Sequence, residues 1–448
     1  MLFEDPRTLV KEEIKQLGEE GYDVSEALDS FNWYLIMNRH FDINDARYFF
    51  YEILKDLPKK EEFKYYEPSE WEEIVSESSF ENYEVPKFSE EELFDRIYGG
   101  LLGRAAGCML GKPVEGWNRE KILEYLKKAG EDHLEYYFPA IEDESEEFKI
   151  YFKETLRGNL KKAIRDDDLD YPIINLKVLE KYGLNFNPEN VGHIWLENLP
   201  FGLVYTAERA AYRNLVMGLK PPETATHMNP YREWIGAQIR ADIFGWISPG
   251  DPRKAVKMAY NDARLSHVKN GIYGEMLVAA MLANAYIYDD PKDVVSESLK
   301  YIPKRSRLHE AITFVLKLHE ETPNWEKAWG KIMEKYGSYH PVHTINNACF
   351  VALGLLYGEK DFGRSICIAV ESGLDTDCNG ATVGSIMGIM LGADRLPKKW
   401  IDPLNDTLES LVPGFQNVRI SKLAEGIMGL TSSIHENKVV ENRGGIGN

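Results

Sequence analysis

Two stretches of this chain place glycine at every fourth position, and that spacing constrains the fold more than any other feature. Gly99, Gly103, Gly107 and Gly111 lie in FDRIYGGLLGRAAGCMLGKPVEGW, and Gly380, Gly384, Gly388 and Gly392 lie in GATVGSIMGIMLG. A four-residue period puts all members of a set close to one face of a helix. Glycine in a helix interior costs about 1 kcal/mol relative to alanine, so eight of them require an offset. Close approach of two backbones supplies it, and two central helices packed at very small separation are predicted. In lipid the same pattern marks membrane helix pairs, but Arg104 and the shortness of the apolar stretch 381–393 exclude spans.

Apolar residues recur with helical period at 173–182, 255–265, 274–286 and 345–357, while alternating β-branched runs are rare. The predicted fold is therefore all-α. A helical extension is expected over 1–56 and a polar, aromatic, proline-punctuated connector over 57–90. The main body is expected over 91–435, opened by a serine–glutamate helix start at Ser89, and a flexible tail over 436–448.

Charge narrows the partners. With 73 acidic against 53 basic residues, the formal charge is −20. No basic run offsets it, so phosphate backbones and anionic membrane surfaces are repelled, and neither nucleic acid nor membrane is an expected partner. Four cysteines without CxxC spacing argue against thiolate zinc and disulfides. With no signal-peptide pattern at the N-terminus, a cytoplasmic location is expected.

The acids are not all alike. The run at 142–147 reads as solvated surface. Asp166, Asp167 and Asp168 instead abut an apolar helix, and Asp375 and Asp377 open the second glycine-faced one. One or two aspartates cap a helix N-terminus well. Three in a row raise one another's pKa unless a cation neutralises them. Residues 375–380 (DTDCNG) match the first half of a calcium loop, but Ile386 stands where that loop needs glutamate. Together, five carboxylates at two helix N-termini suit two hard divalent cations, with oxygen ligands favouring magnesium, manganese or calcium over zinc.

The order of these motifs resembles the ADP-ribosylglycohydrolase (dinitrogenase-reductase-activating glycohydrolase) family over roughly residues 93–430. The family's opening helix appears as Arg96-Ile97-Tyr98-Gly99 through Pro113-Val114-Glu115. Its acidic motif appears at Asp166 to Asp168, its Leu-Ser-His segment at Leu265-Ser266-His267, and its closing motif from Gly373 to Gly388. The resemblance implies an all-α fold around a binuclear magnesium or manganese site. It also implies hydrolysis of an N- or O-glycosidic bond at C1 of an ADP-ribosyl or related ribosyl group, either on a small molecule or linked to protein.

Carried over by position, Asp167 and Asp168 match the first pair of metal aspartates, and Asp375 and Asp377 the second. Asp166 stands at a threonine or serine position and Cys378 at a threonine that often supplies a hydroxyl ligand, so both join the candidate ligands. Glu115 matches a glutamate implicated in catalysis, and Asp168 and Asp375 are expected to share the chemistry with it. His267, Asn346 and Gly373 are the expected substrate contacts. His340, His343 and Asn347 read as capping and turn residues, and Trp195, Trp234, Trp246, Tyr205 and Tyr212 as packing. Cys108 and Leu169 also depart from the family pattern, and these departures bear on the substrate more than on the metals.

Two other readings compete. Asp167-Asp168-Leu169-Asp170 is a near miss to the DDxxD motif of all-α isoprenoid synthases. A non-catalytic relative of the same fold is the other, although all four core aspartates are retained.

Overall fold

The computed structural model of the protein describes residues 4–38, 40–80, 84–142 and 145–443, with side chains through 432. Helices make up nearly all of the regular structure. The only strands among the described residues are Thr407–Leu408 and Val418–Arg419, which pair antiparallel. No described helix is long and apolar enough to cross a membrane.

The two glycine helices, Glu90–Gly111 and Thr376–Leu391, form the axis of the body. Ser89 begins the first by accepting the Glu92 N–H at 3.2 Å, and three glutamates in its first turn face the positive end of the dipole. The helices run antiparallel with the glycines in register. A methyl group on Gly99, Gly103 or Gly107 would strike the carbonyl of Gly388, Gly384 or Gly380. A methyl on Gly111 would strike that of Thr376. Gly392 differs from the other seven. It is the C-terminal cap of the second helix, at φ 77°, and ends the helix instead of extending its small-residue face. Arg96 reaches across to the carbonyls of Ile389 and Met390 at 3.1 and 3.3 Å, satisfying that same end.

Helices Asn270–Asn284 and Thr344–Tyr357 are buried on every face, as expected of helices that are apolar all round. They pack around the glycine pair and complete one continuous core.

The N-terminal extension has its own small core. Helices Pro6–Glu19, Ser25–Met37 and Ile43–Tyr48 enclose Phe31, Phe41 and Phe49, whose edge-on contacts also take in Tyr34. This core closes over Ala207, Met228, Tyr231 and Trp234 of the body. Arg232 fastens the junction, pairing with Glu13 at 2.7 Å and Glu20 at 2.8 Å. The stretch expected as a connector holds a short helix, Trp71–Glu77, and is strapped to the body. Glu67 pairs with Arg307 at 2.7 Å, and the Ser69 carbonyl accepts the Tyr260 hydroxyl at 3.2 Å. At the other end, helix Ile420–Arg443 carries regular structure into the expected tail, and residues 444–448 lie outside the described residues.

Candidate metal centre

The first glycine helix ends in a tight turn that delivers Glu115. Backbone bonds tie this turn to the approach of the second helix: Gly116 N–H to the Leu374 carbonyl and Leu374 N–H to the Trp117 carbonyl, each at 2.9 Å. Thr376 Oγ1 donates to the Gly111 carbonyl at 2.8 Å. Glycine zipper and turn together thus carry Glu115 to Asp375 and Asp377. Gly373, at φ 83°, lets the backbone of residues 117–119 press against it, and a side chain there would collide. It packs against this backbone and lies outside the cleft lining.

Helix Asp167–Tyr182 brings the other cluster. Asp166 is its N-cap, accepting the Asp168 N–H at 2.9 Å through Oδ1, while Oδ2 is paired with Lys112. Both oxygens of this expected ligand are therefore engaged. Arg104 grips Asp168, donating from Nε to its carbonyl at 2.7 Å and from Nη2 to Oδ1 at 3.0 Å, and it also reaches Asp242 Oδ2 at 2.6 Å. Asp168 Oδ2 accepts the Cys378 thiol at 3.0 Å.

Two groups of potential ligands result, Glu115–Asp375–Asp377 and Asp168–Asp377–Cys378. Within each, the ligand atoms lie within 4.8 Å of one another, and Asp377 belongs to both. Asp375 and Asp377 each leave Oδ1 buried without a hydrogen-bond partner. Buried, unpartnered carboxylate oxygens are costly, and hard oxygen donors at this spacing fit divalent cations. Asp167 lines the same cleft.

The electrostatics agree. Burial, followed by the charges of Asp166 and Asp168, holds Asp167 well above the carboxylate range. Burial raises Asp168 despite Arg104, and burial with Glu115 and Asp166 raises Asp377. Glu115 opens to the cleft on one side. The protein wall around its carboxyl, then the charges of Asp375, Asp166 and Asp167, push it up to about 8. Burial likewise keeps the Cys378 thiol neutral. It acts as a hydrogen-bond donor to Asp168, a weak substitute for a hydroxyl ligand to a hard cation.

His267 is fully buried and outside the cleft lining, its Nδ1 bonded to Ser266 Oγ at 2.8 Å, with burial keeping it neutral. Asn346 closes the preceding turn by donating to the His340 carbonyl at 3.0 Å. Its neighbour Asn347 serves the site, its Oδ1 accepting the Asp375 N–H at 3.3 Å and Asn379 Nδ2 at 2.8 Å. The two asparagines sit side by side in the first turn of the helix, Asn347 Nδ2 donating to Asn346 Oδ1 at 3.3 Å, so sequence could not choose between them. Tyr205, expected to be packing, is exposed at the cleft. Arg104 and Lys112 went unassigned, although an arginine inside an apolar helix signals a buried carboxylate partner. Asp170 is consumed by Arg165, Ser410 and the Leu411 N–H. That removes the last acid of the DDxxD near miss from the cleft.

The comparisons with known proteins bear on the same body. A family model described as ADP-ribosylglycohydrolase matches residues 89–433. An uncharacterized protein of Archaeoglobus fulgidus is 22% identical over 314 residues, spanning 68% of this chain and 90% of the relative. A solved structure described as an ADP-ribosylglycohydrolase-related protein complex is 17% identical, with 76% of this chain and 99% of that one covered at a TM-score of 0.46.

Proposed function

Because the chain belongs to the ADP-ribosylglycohydrolase family, we propose that its cleft hydrolyses the C1 glycosidic bond of an ADP-ribosyl or related ribosyl compound, using two magnesium or manganese ions. The observation that carries this reading is the pair of ligand groups sharing Asp377, with buried oxygens left unpartnered. Glu115, Asp375 and Asp377 would hold one cation, and Asp168 and Asp377 the other, with Asp167 at the cleft side. Bound there, such ions polarise oxygen ligands and lower the pKa of coordinated water.

The chain's own groups do the rest. Glu115 faces the cleft beside Asp375 and accepts a proton from the attacking water. Asp168 and Asp375 oppose the positive charge that develops on the sugar as the bond to C1 breaks. Arg104 and Asn347 hold these carboxylates in place, Arg104 through Asp168 and Asn347 through the Asp375 N–H. Phe152 and Tyr205 at the mouth, with the apolar wall of Ile235, Ile239 and Val342, form the surface against which the substrate rests.

A panel of ribosyl and ADP-ribosyl substrates, assayed with Mg²⁺ or Mn²⁺ and again with EDTA, tests the reading. Release of free sugar that depends on the cation is the expected result. Turnover unaffected by EDTA, or none on any member of the panel, would defeat it.

A further inference from the structure

The cleft measures about 910 Å³. Among the described residues lining it, nine carry carboxyl groups and three carry basic side chains. Each base is already engaged. Lys112 is paired with Asp166 and lies 4.2 Å from the centre of the Phe152 ring. Lys162 is paired with Glu409, and Arg165 Nε donates to Asp170 at 2.8 Å. Glu154, an exposed lining residue, adds another acid. Helix Thr206–Val216 begins at the wall, but Glu208 in its first turn already places a carboxylate at that amide end.

A diphosphate is held well where ionised donors meet its oxygens, and a cleft of one sign repels ligands of that sign. Two dications would neutralise the inner carboxylates, yet they would free no cation for the outer part of the cleft. There Phe152, Tyr205, Ile235, Ile239 and Val342 offer an aromatic and apolar surface suited to a flat ring. Resting on the glycohydrolase reading, we propose that the substrate of this chain is a phosphate-free, nucleoside-sized glycosyl compound whose leaving group is neutral or cationic.

The test varies phosphate alone. The full-length chain with Mn²⁺ is assayed on agmatine bearing ribose, ribose 5-phosphate or ADP-ribose at its guanidinium. The expected kcat/KM is highest for the ribosyl form and falls by about tenfold or more toward the ADP-ribosyl form, chiefly through KM. Equal or better turnover of the ADP-ribosyl form overturns the proposal. Glu154→Lys, at an exposed position, and Glu409→Gln, which frees Lys162, should each lower KM for the phosphorylated forms only, narrowing the gap. No narrowing with either variant counts against the charge argument. If no form is hydrolysed, the glycohydrolase reading fails, and titration calorimetry on the Mn²⁺-loaded protein decides the substrate class separately. Tighter binding of ribosyl-agmatine than of ADP-ribose supports the proposal. The reverse order, or no binding of ribosyl-agmatine, overturns it.

Discussion

Two regions of this molecule bury carboxylates in number, and they are built on opposite principles. At the junction between the N-terminal extension and the body, Glu13, Glu20, Glu67 and Glu233 meet Arg232, Arg307 and Lys269. Burial still raises Glu13 and Glu233, but Glu20 is held down to about 2, its burial outweighed by Arg232 and Lys269. In the cleft, Arg104 is bonded to Asp168 and Lys112 to Asp166, and Glu115, Asp167, Asp168 and Asp377 are all raised. Where the chain supplies its own cations, buried acids hold the fold together. Where it does not, buried acids stay raised, and the proposed divalent cations would supply the missing charge.

The contrast breaks most visibly at Asp377, the residue shared by both ligand groups. Asp377→Ala should lower turnover by more than the ~100-fold typical of losing an outer partner of a metal ligand. Calorimetry should show lost Mn²⁺ binding, and circular dichroism a retained fold. Thermal melts in EDTA at pH 8 should show the variant no less stable than the parent, because a buried carboxyl with no counterion has been removed.

Arg232→Ala should do the reverse. It strands Glu13 and leaves Glu20 with Lys269 alone, and breaking a buried pair in this way costs about 3–5 kcal/mol. Urea unfolding should report that loss equally with and without Mn²⁺. A loss that Mn²⁺ specifically repaired would erase the distinction between the two regions.

Asn347→Ala sharpens the comparison within the cleft. It removes the bond to the Asp375 N–H without removing a ligand, so Mn²⁺ affinity should fall by about 10–100-fold. Asn346→Ala, measured by the same calorimetry, should leave the affinity near that of the parent.

The smallest expected effect is on pH. Between the ordinary carboxyl value of 4.5 and about 8, the metal-free folded chain holds a proton on Glu115 that the unfolded chain has released. Stability in EDTA should therefore fall as pH rises through that window. Scanning calorimetry between pH 5 and 8 measures it, and saturating Mn²⁺ should flatten the slope.

Much of this was legible in the chain itself. The fourfold glycine period implied two helices in backbone contact, because that signal resides in spacing along one helix, and the two aspartate motifs marked the acids that meet in the cleft. Gly392 was misread since a helix cap and a zipper position share the same period, and only φ separates them. Phe152 and Tyr205 carried no periodic signal, being loop residues that reach the cleft through the path of the chain.

By itself the sequence determined helix type, helix contact and an excess of acid, because local spacing and charge composition are properties of the chain before it folds. Tertiary structure decided which acids would lack a counterion. Pairing Lys112 with Asp166 and Arg104 with Asp168, while leaving Oδ1 of Asp375 and of Asp377 without a hydrogen-bond partner, depends on side chains converging from segments far apart in the chain. Whether a buried charge is structural or available for chemistry is set by its neighbours in space.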